Sequence, residues 1–329
     1  MVTGLIRSGL ALALVAALSG AAGFAQAQAQ AWPSRPIRFV VAYPPGGGSD
    51  LTARLLGPKL AERLNATVVV ENRVGGGGIV GLDSIAKAPP DGYTIGWGPS
   101  GLLTINVVLQ PNLPYKPLQD LSFISTAVRN PLVLVAHPSL PARDFRELLA
   151  LAKASPGKYS YASTGTATAH HLAGVLLVMT AGVDLVHVPY KGSSPAANDL
   201  IGGQIPLAII DLASTSSFLK AGKMRALGTM GLERSQLAPD IPTLAESGLP
   251  GFEAQSWYGV VAPAKLPADI VARLNGATVA SLNSPDLRER FLAAGVEAGA
   301  STPEQFAAMV RAETARWSKV IKDAKIVAE

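Results

Sequence analysis

No cysteine occurs anywhere in the 329 residues. Disulfides, thiol nucleophiles and thiolate metal sites are thereby excluded, as is a lipid anchor attached to a cysteine at an export cleavage site. Histidine is nearly as scarce: the four residues include the adjacent pair His170 and His171 and show no zinc spacing, so no metal is expected. Charged residues make up only 16% of the chain, and the Lys and Arg behind the net charge of +5 are spread rather than clustered. Nucleic-acid binding therefore has no electrostatic footprint. The P-loop pattern G-x-x-x-x-G-K is missing, and the glycines at 46–48 are not spaced G-x-G-x-x-G, so no nucleotide cofactor is expected.

Past the first thirty residues, no apolar run reaches transmembrane length. The first thirty themselves have a minimal basic start at Arg7, an apolar stretch over 9–24, and small residues alternating with Gln over 25–29. Residues 1–29 thus read as a secretory signal peptide, giving a soluble periplasmic protein without a lipid anchor.

What the chain does have is a loop, Tyr43-Pro44-Pro45-Gly46-Gly47-Gly48-Ser49-Asp50, set between an apolar strand pattern over 37–42 and a helical one. Leu51, Leu55, Leu56, Leu60 and Leu64 recur at helical spacing, and Pro58 among them predicts a kink or a break. A glycine-rich turn ahead of a helix leaves backbone N–H groups pointing outward at the positive end of the helix dipole, a ready anion site. Asp50, itself an anion, is expected to cap the helix or order the loop rather than touch a bound carboxylate, with a link to a ligand amine as the alternative.

A second strand over 67–71 leads into the glycines 75–78 and a short helix over 79–87, and a third strand over 94–97 ends at Gly98-Pro99-Ser100-Gly101. Strand, helix, strand, helix, strand is the signature of a parallel α/β sheet, which places all three loops at one sheet edge, where ligands sit. The order then recurs. A strand over 133–136 and a helix over 143–154 precede a strand over 159–162, the small-residue loop Ser163-Thr164-Gly165-Thr166-Ala167-Thr168, and a helix over 169–181. A strand and exit loop over 186–192, a helix over 195–202, strands at 207–211, 226–230 and 257–262, and three C-terminal helices complete the reading. The last helix starts with Thr302, Pro303 and Gln305 in capping-box positions.

In order along the chain stand Arg35-Pro36-Ile37-Arg38, Pro44-Pro45-Gly46-Gly47 with Asp50, Val69-Val70-Glu71-Asn72-Arg73 and Pro90-Asp91-Gly92-Tyr93. Tyr161-Ala162-Ser163 with Gly165, His171-Leu172-Ala173, and His187-Val188-Pro189-Tyr190-Lys191-Gly192 with Pro195-Ala196 follow. Pro239-Asp240-Ile241-Pro242-Thr243, Pro250-Gly251-Phe252-Glu253 and Trp257 close the series. Over essentially the whole chain past the leader, this series resembles the Bug-type receptors of tripartite tricarboxylate transporters.

The resemblance implies a type II periplasmic binding protein fold: two α/β lobes joined by crossing strands, lobe 1 over 32–130 and 255–329 and lobe 2 over 131–254. It implies a monomer that takes a small carboxylate (a di- or tricarboxylate, an acidic amino acid or an aromatic acid) and hands it to membrane transporter subunits. It places the ligand between Pro45, Gly46, Gly47, Gly48, Ser49 and Asp50 on one side and Ser163, Thr164, Gly165, Thr166, Ala167, Thr168 and His171 on the other. Ala167 and Thr168 depart from the family, which has glycine and serine there; alanine tolerates positive φ less well. Ser100, Gly101 and Asn106 complete the first rim. Asp211, at the end of an apolar strand, either reads the far end of the ligand or turns the chain.

Other functions remain open to the residues. Ser163 fits half of a hydrolase elbow, S-x-G without the preceding glycine, and His171 or His187 with Asp184 or Asp211 could serve it in a secreted serine hydrolase. A sensory receptor presenting its ligand to a signalling partner would share the binding chemistry. Trp97 and Trp257 are expected to pack in the core or hinge.

Overall fold

The parallel strands expected in the first half form one side of a six-stranded sheet in a computed structural model that describes residues 32–166 and 168–326. The leader over 1–29 and Ala167 lie outside the described residues. Strand β1 (Ile37–Val41) pairs in parallel with β2 (Val68–Asn72) on one side and β3 (Thr94–Pro99) on the other. Between them run helices α1 (Gly48–Leu64) and α2 (Ile79–Ala86).

After β3 the chain enters a π-helical turn (Gly101–Ile105) and the short helices α3 (Asn106–Leu109) and α4 (Pro117–Asp120), and then makes β4 (Leu121–Asn130). β4 runs straight on through Pro131 into β5 (Leu132–Ala136), which belongs to a second sheet. That sheet also holds β6 (Ser160–Ser163), β7 (Val186–Pro189), β8 (Leu207–Asp211) and β9 (Arg225–Thr229). Helices α5 (Phe145–Ala154), α6 (Ala169–Ala181), α7 (Ser193–Ile201) and α8 (Leu212–Lys220) connect them. The chain returns to the first sheet as β10 (Ser256–Pro263), followed by α9 (Ala268–Leu282), α10 (Pro285–Ala293), β11 (Glu297–Ala298) and α11 (Pro303–Asp323).

The two sheets have matching orders, β2-β1-β3-β10-β4 with β11 at the edge and β7-β6-β8-β5-β9. In each, three parallel strands are followed by an antiparallel one supplied by the chain that has just crossed over: β10 against β3, and β5 against β8. This is the type II periplasmic binding protein fold. Its consequence for function is local: β1 and β3 end in the loops at 43–48 and 100–101, and β6 and β8 end at Ser163 and Asp211.

Each sheet has its own core. Val40, Leu82, Ile85, Phe123, Val261, Phe306 and Val310 pack on the first, and Leu132, Leu134, Tyr161, Leu172, Leu207 and Ile209 on the second. Helix α11 serves both, since its early residues Phe306 and Val310 join the first core while Trp317, Val320 and Ile321 join the second. The capping box at its start is formed, with Thr302 accepting from the Gln305 N–H and Gln305 accepting from the Thr302 N–H.

Two expectations are corrected here. Helix α1 does not break at Pro58, which lies inside it. Pro58 is on the exposed face, where water can take the carbonyl that proline leaves unpaired. Leu51 also leaves the apolar face, being 46% exposed while Leu55, Leu56, Leu60 and Leu64 are buried.

Candidate functional site

Pro45, Gly46, Gly47 and Gly48 are all exposed, and the turn they make is fixed from behind by Asp50. Gly46 takes φ +85°, a left-handed conformation that glycine adopts at no steric cost. Its N–H donates to Asp50 Oδ2 at 2.9 Å, so the loop closes on the third residue of α1. Asp50 is buried and also accepts from Arg54 Nε at 2.9 Å and Asn72 Nδ2 at 2.8 Å. Asn72, at the end of β2, in turn donates to the Tyr43 carbonyl, so one amide joins β2 to the loop after β1. The Arg54 hydrogen bond, reinforced by those from Gly46 and Asn72, outweighs the cost of burial and lowers the Asp50 carboxyl to about 2. It is an anion at any ordinary pH and turns donors away from the loop mouth rather than toward it. Ser49 beside it is buried, and its hydroxyl has no partner among the described residues.

Ser100 is buried at the end of β3, where its Oγ accepts from the Trp257 N–H at 3.4 Å and its carbonyl from Thr104. Gly101, expected in a loop, opens the π-helical turn instead. Trp97 is wholly buried and stacks on Tyr258 of β10 at 5.7 Å, and Trp257 donates to the Glu313 carboxylate at 3.0 Å. Both tryptophans are packing residues.

The second loop is built the same way. Ser163 ends β6 wholly buried, Gly165 takes φ +137°, and Thr168 caps α6 by accepting from the His171 N–H. The Thr168 hydroxyl donates to the Gly165 carbonyl at 2.7 Å, and the Gly165 N–H donates to Ser163 Oγ at 3.2 Å. Thr164 and Thr166 are half-buried; Ala167 is not among the described residues. A Cβ on Gly165 would stand 3.4 Å from the Tyr190 carbonyl, in a backbone conformation that side chains rarely adopt. Gly165→Val is therefore expected to destabilise the fold by roughly 1–3 kcal/mol and to weaken ligand binding; urea unfolding and calorimetry read the two effects separately.

Beneath this loop lies a histidine pair that sequence spacing did not disclose. His187 Nε2 is 2.7 Å from Ser163 Oγ, and its ring stacks on His171 at 4.0 Å. Burial, and then the neighbouring His171, push His187 down to about 4, and burial lowers His171 as well. Both are neutral near pH 7, and a neutral, stacked imidazole is a rigid floor for Ser163.

Asp211, at the end of β8, is fully engaged. Oδ1 accepts from Asn130 Nδ2 at 2.8 Å and faces His170 Nε2 at 2.9 Å, and Oδ2 accepts from Ser193 Oγ at 2.8 Å. Burial works against the charge, but His170, Ser193 and Asn130 overcome it, and the carboxyl is held below its ordinary value. Asp211 thereby ties the end of β4 to α6 and α7. It does not orient His187, the alternative that a hydrolase would have needed. Tyr258 was not singled out from the sequence, yet its phenol is raised first by burial and then by the charges of Asp211 and Tyr43. A residue of the first sheet thus lies within the field of both site edges.

Among the described residues, two of the cavities lie away from these loops. One of about 440 Å³ is lined by β4, β10 and α11, with Arg129, Glu253, Glu313 and Arg316 on its walls. The other, of about 580 Å³, lies between α8, residues 237–241 and the end of α10. Among the described residues no group of acidic and histidine side chains could hold a metal ion.

Two α/β sheets with matching order and ligand-edge loops define a periplasmic binding protein, and known structures agree. R. palustris Rpa4515 with adipate is 34% identical, covering 90% of this chain and 99% of that one at TM-score 0.76. MatC from Rhodopseudomonas palustris with bound malate is 32% identical, covering 88% and 100% at TM-score 0.70. Protein BugT of Bordetella pertussis is 36% identical over 95% of this chain and 96% of its own. Residues 52–326 match the tripartite tricarboxylate transporter family receptor model, and the chain belongs to that family.

Proposed function

We propose that the protein is a periplasmic receptor that captures a small carboxylate between lobe 1 (32–130 and 255–329) and lobe 2 (131–254). It acts as a monomer and delivers the ligand to the membrane subunits of a tripartite tricarboxylate-type transporter. The observation that carries this reading is the twofold construction of the site. At the end of β1 and again at the end of β6, a glycine in left-handed or strained backbone precedes a helix start. Side-chain bonds behind each loop take the Gly46 and Gly165 N–H groups and fix its shape, and the N–H groups left at the helix start that follows would meet a ligand at the positive end of a helix dipole. Adipate and malate, bound by two relatives, are dicarboxylates.

Backbone donors grip any carboxylate alike. The ligand therefore bridges two loops only when the lobes are closed, and binding shifts the hinge equilibrium by the difference in affinity between open and closed states. Thermal unfolding with mono-, di- and tricarboxylates, acidic amino acids and aromatic acids tests the reading. A ligand present at ~100 times its dissociation constant stabilises by roughly 2.7 kcal/mol. No shift from any carboxylate contradicts it.

One contact favours the hydrolase reading, the 2.7 Å approach of His187 to Ser163. Against it, Ser163 is wholly buried and among the described residues no carboxylate bonds the His187 ring. Ester turnover lost in Ser163→Ala would restore that reading.

A further inference from the structure

Two stretches cross between the sheets: β4 running on into β5, and the chain that leaves β9 and enters β10. In the first sheet β1 and β3, which end in the candidate ligand loops, lie on one side of β10 and β4, and β11 lies on the other. In the second sheet β6 and β8 lie on one side of β5, and β9 lies on the other. The far side of the crossing has its own bond between the sheets. Glu297 of β11 accepts with Oε1 from Ser235 Oγ at 2.6 Å and from the Gln236 N–H at 2.7 Å, both in the loop after β9.

This contact is built rather than incidental. Ser235 is buried, and its Oγ accepts from the Leu237 N–H at 3.1 Å, which leaves the hydroxyl hydrogen to Glu297. The turn leading to Glu297 sits close against the second sheet's helices, since a Cβ on Gly295 would collide with Ala213 at the start of α8. Bonds to an ionised carboxylate are also the stronger kind.

Closing a cleft turns one sheet toward the other about the crossing strands. Approach on the ligand side is then separation on the far side. Among the described residues no hydrogen bond joins the loop over 43–50 to the loop over 163–168, so the far-side bond is made while the ligand loops are not joined. We infer that Glu297 is a counterweight behind the hinge: it holds the ligand-free receptor open, and its bonds to Ser235 and Gln236 break as the lobes close on a carboxylate. Measured affinity is then lower than the closed state alone would give, by the cost of breaking them. The inference rests on the carboxylate-receptor reading, because it needs lobes that close.

Calorimetric titration of the full mature chain with adipate, malate and any carboxylate that raises the unfolding temperature tests it. Glu297→Ala is expected to bind roughly threefold to tenfold more tightly than the wild type. Glu297→Gln keeps the accepting oxygen and stays near the wild type. Ser235→Ala removes one of the two donors and tightens binding less, and it serves if Glu297→Ala does not fold. Loss of a purely structural side chain would not tighten binding.

A second readout leaves these residues untouched. The chain has no cysteine, so spin labels on Leu232→Cys and Ala300→Cys, both exposed positions flanking the far side, report one distance. That distance should lengthen when ligand is added. A far-side distance that stays constant or shortens, or variants at Glu297 and Ser235 that bind no more tightly than the wild type, overturns the inference and leaves the receptor reading intact. Absence of binding by every carboxylate to the wild type overturns both.

Discussion

Asp50→Ala is expected to weaken carboxylate binding by roughly tenfold to a hundredfold, because it removes the group that holds the first loop in its binding shape. The Gly46 N–H, the Asn72 amide and the Arg54 guanidinium would all lose their acceptor. The stability cost follows from the same bonds. A carboxyl held at about 2 in the fold and near 3.8 when unfolded is linked to about 2 kcal/mol, and because Arg54 is half in water the effective figure is about 1–2 kcal/mol.

The sign is that of a depressed acid. The contribution is complete above the unfolded value and is lost as pH falls from about 4 through about 2. Urea unfolding of wild type and variant should therefore differ at pH 6 and converge toward pH 2. A constant difference across that range would show that the carboxylate charge is not what stabilises the loop.

Asp211→Ala should be the more damaging change. Its two oxygens take the hydrogens of Asn130, Ser193 and His170, and all three donors are half-buried. Removing a paired charge from such a place leaves its partners unsatisfied, at roughly 3–5 kcal/mol. The variant should unfold several degrees lower, and ligand affinity should fall because Asn130 and α6 are no longer tied together. Asp211→Asn keeps one acceptor oxygen and is expected to lose less than half as much. Equal losses in the two variants would mean that shape rather than hydrogen bonding matters at this position.

The parallel units on both sheets were legible because glycine and proline punctuate them. β1, the loop to Asp50, α6 and β8 stand where periodicity and turn residues put them. β4 escaped notice. Its sequence mixes Ser122, Ser125 and Thr126 into the apolar residues, its burial does not alternate, and its partner β10 comes from far along the chain. Ser125 is wholly buried at the cost of bonding the Ser301 backbone, a match that only the folded chain makes. α8 was missed because its Ala-Ser-Thr-Ser-Ser run reads as loop.

The site divides in the same way. Loop residues were visible from local composition, whereas the pairs Ser163 with His187 and His170 with Asp211 join residues 24 and 41 positions apart. Strand order sets those distances, and spacing along the chain carries no record of it. Asp211 illustrates the difference: the sequence marked a polar residue at a strand end, and the fold assigns both its oxygens to neighbours.

A crystal structure of the complex with the carboxylate that stabilises the protein most tests the central claim directly. The claim predicts a ligand carboxylate between the backbone N–H groups of residues 47–49 and the loop over 163–168, with the lobes closed around it. A ligand found instead in the cavity of about 440 Å³ lined by Arg129 and Arg316, with the loops at the ends of β1 and β6 untouched, would contradict it.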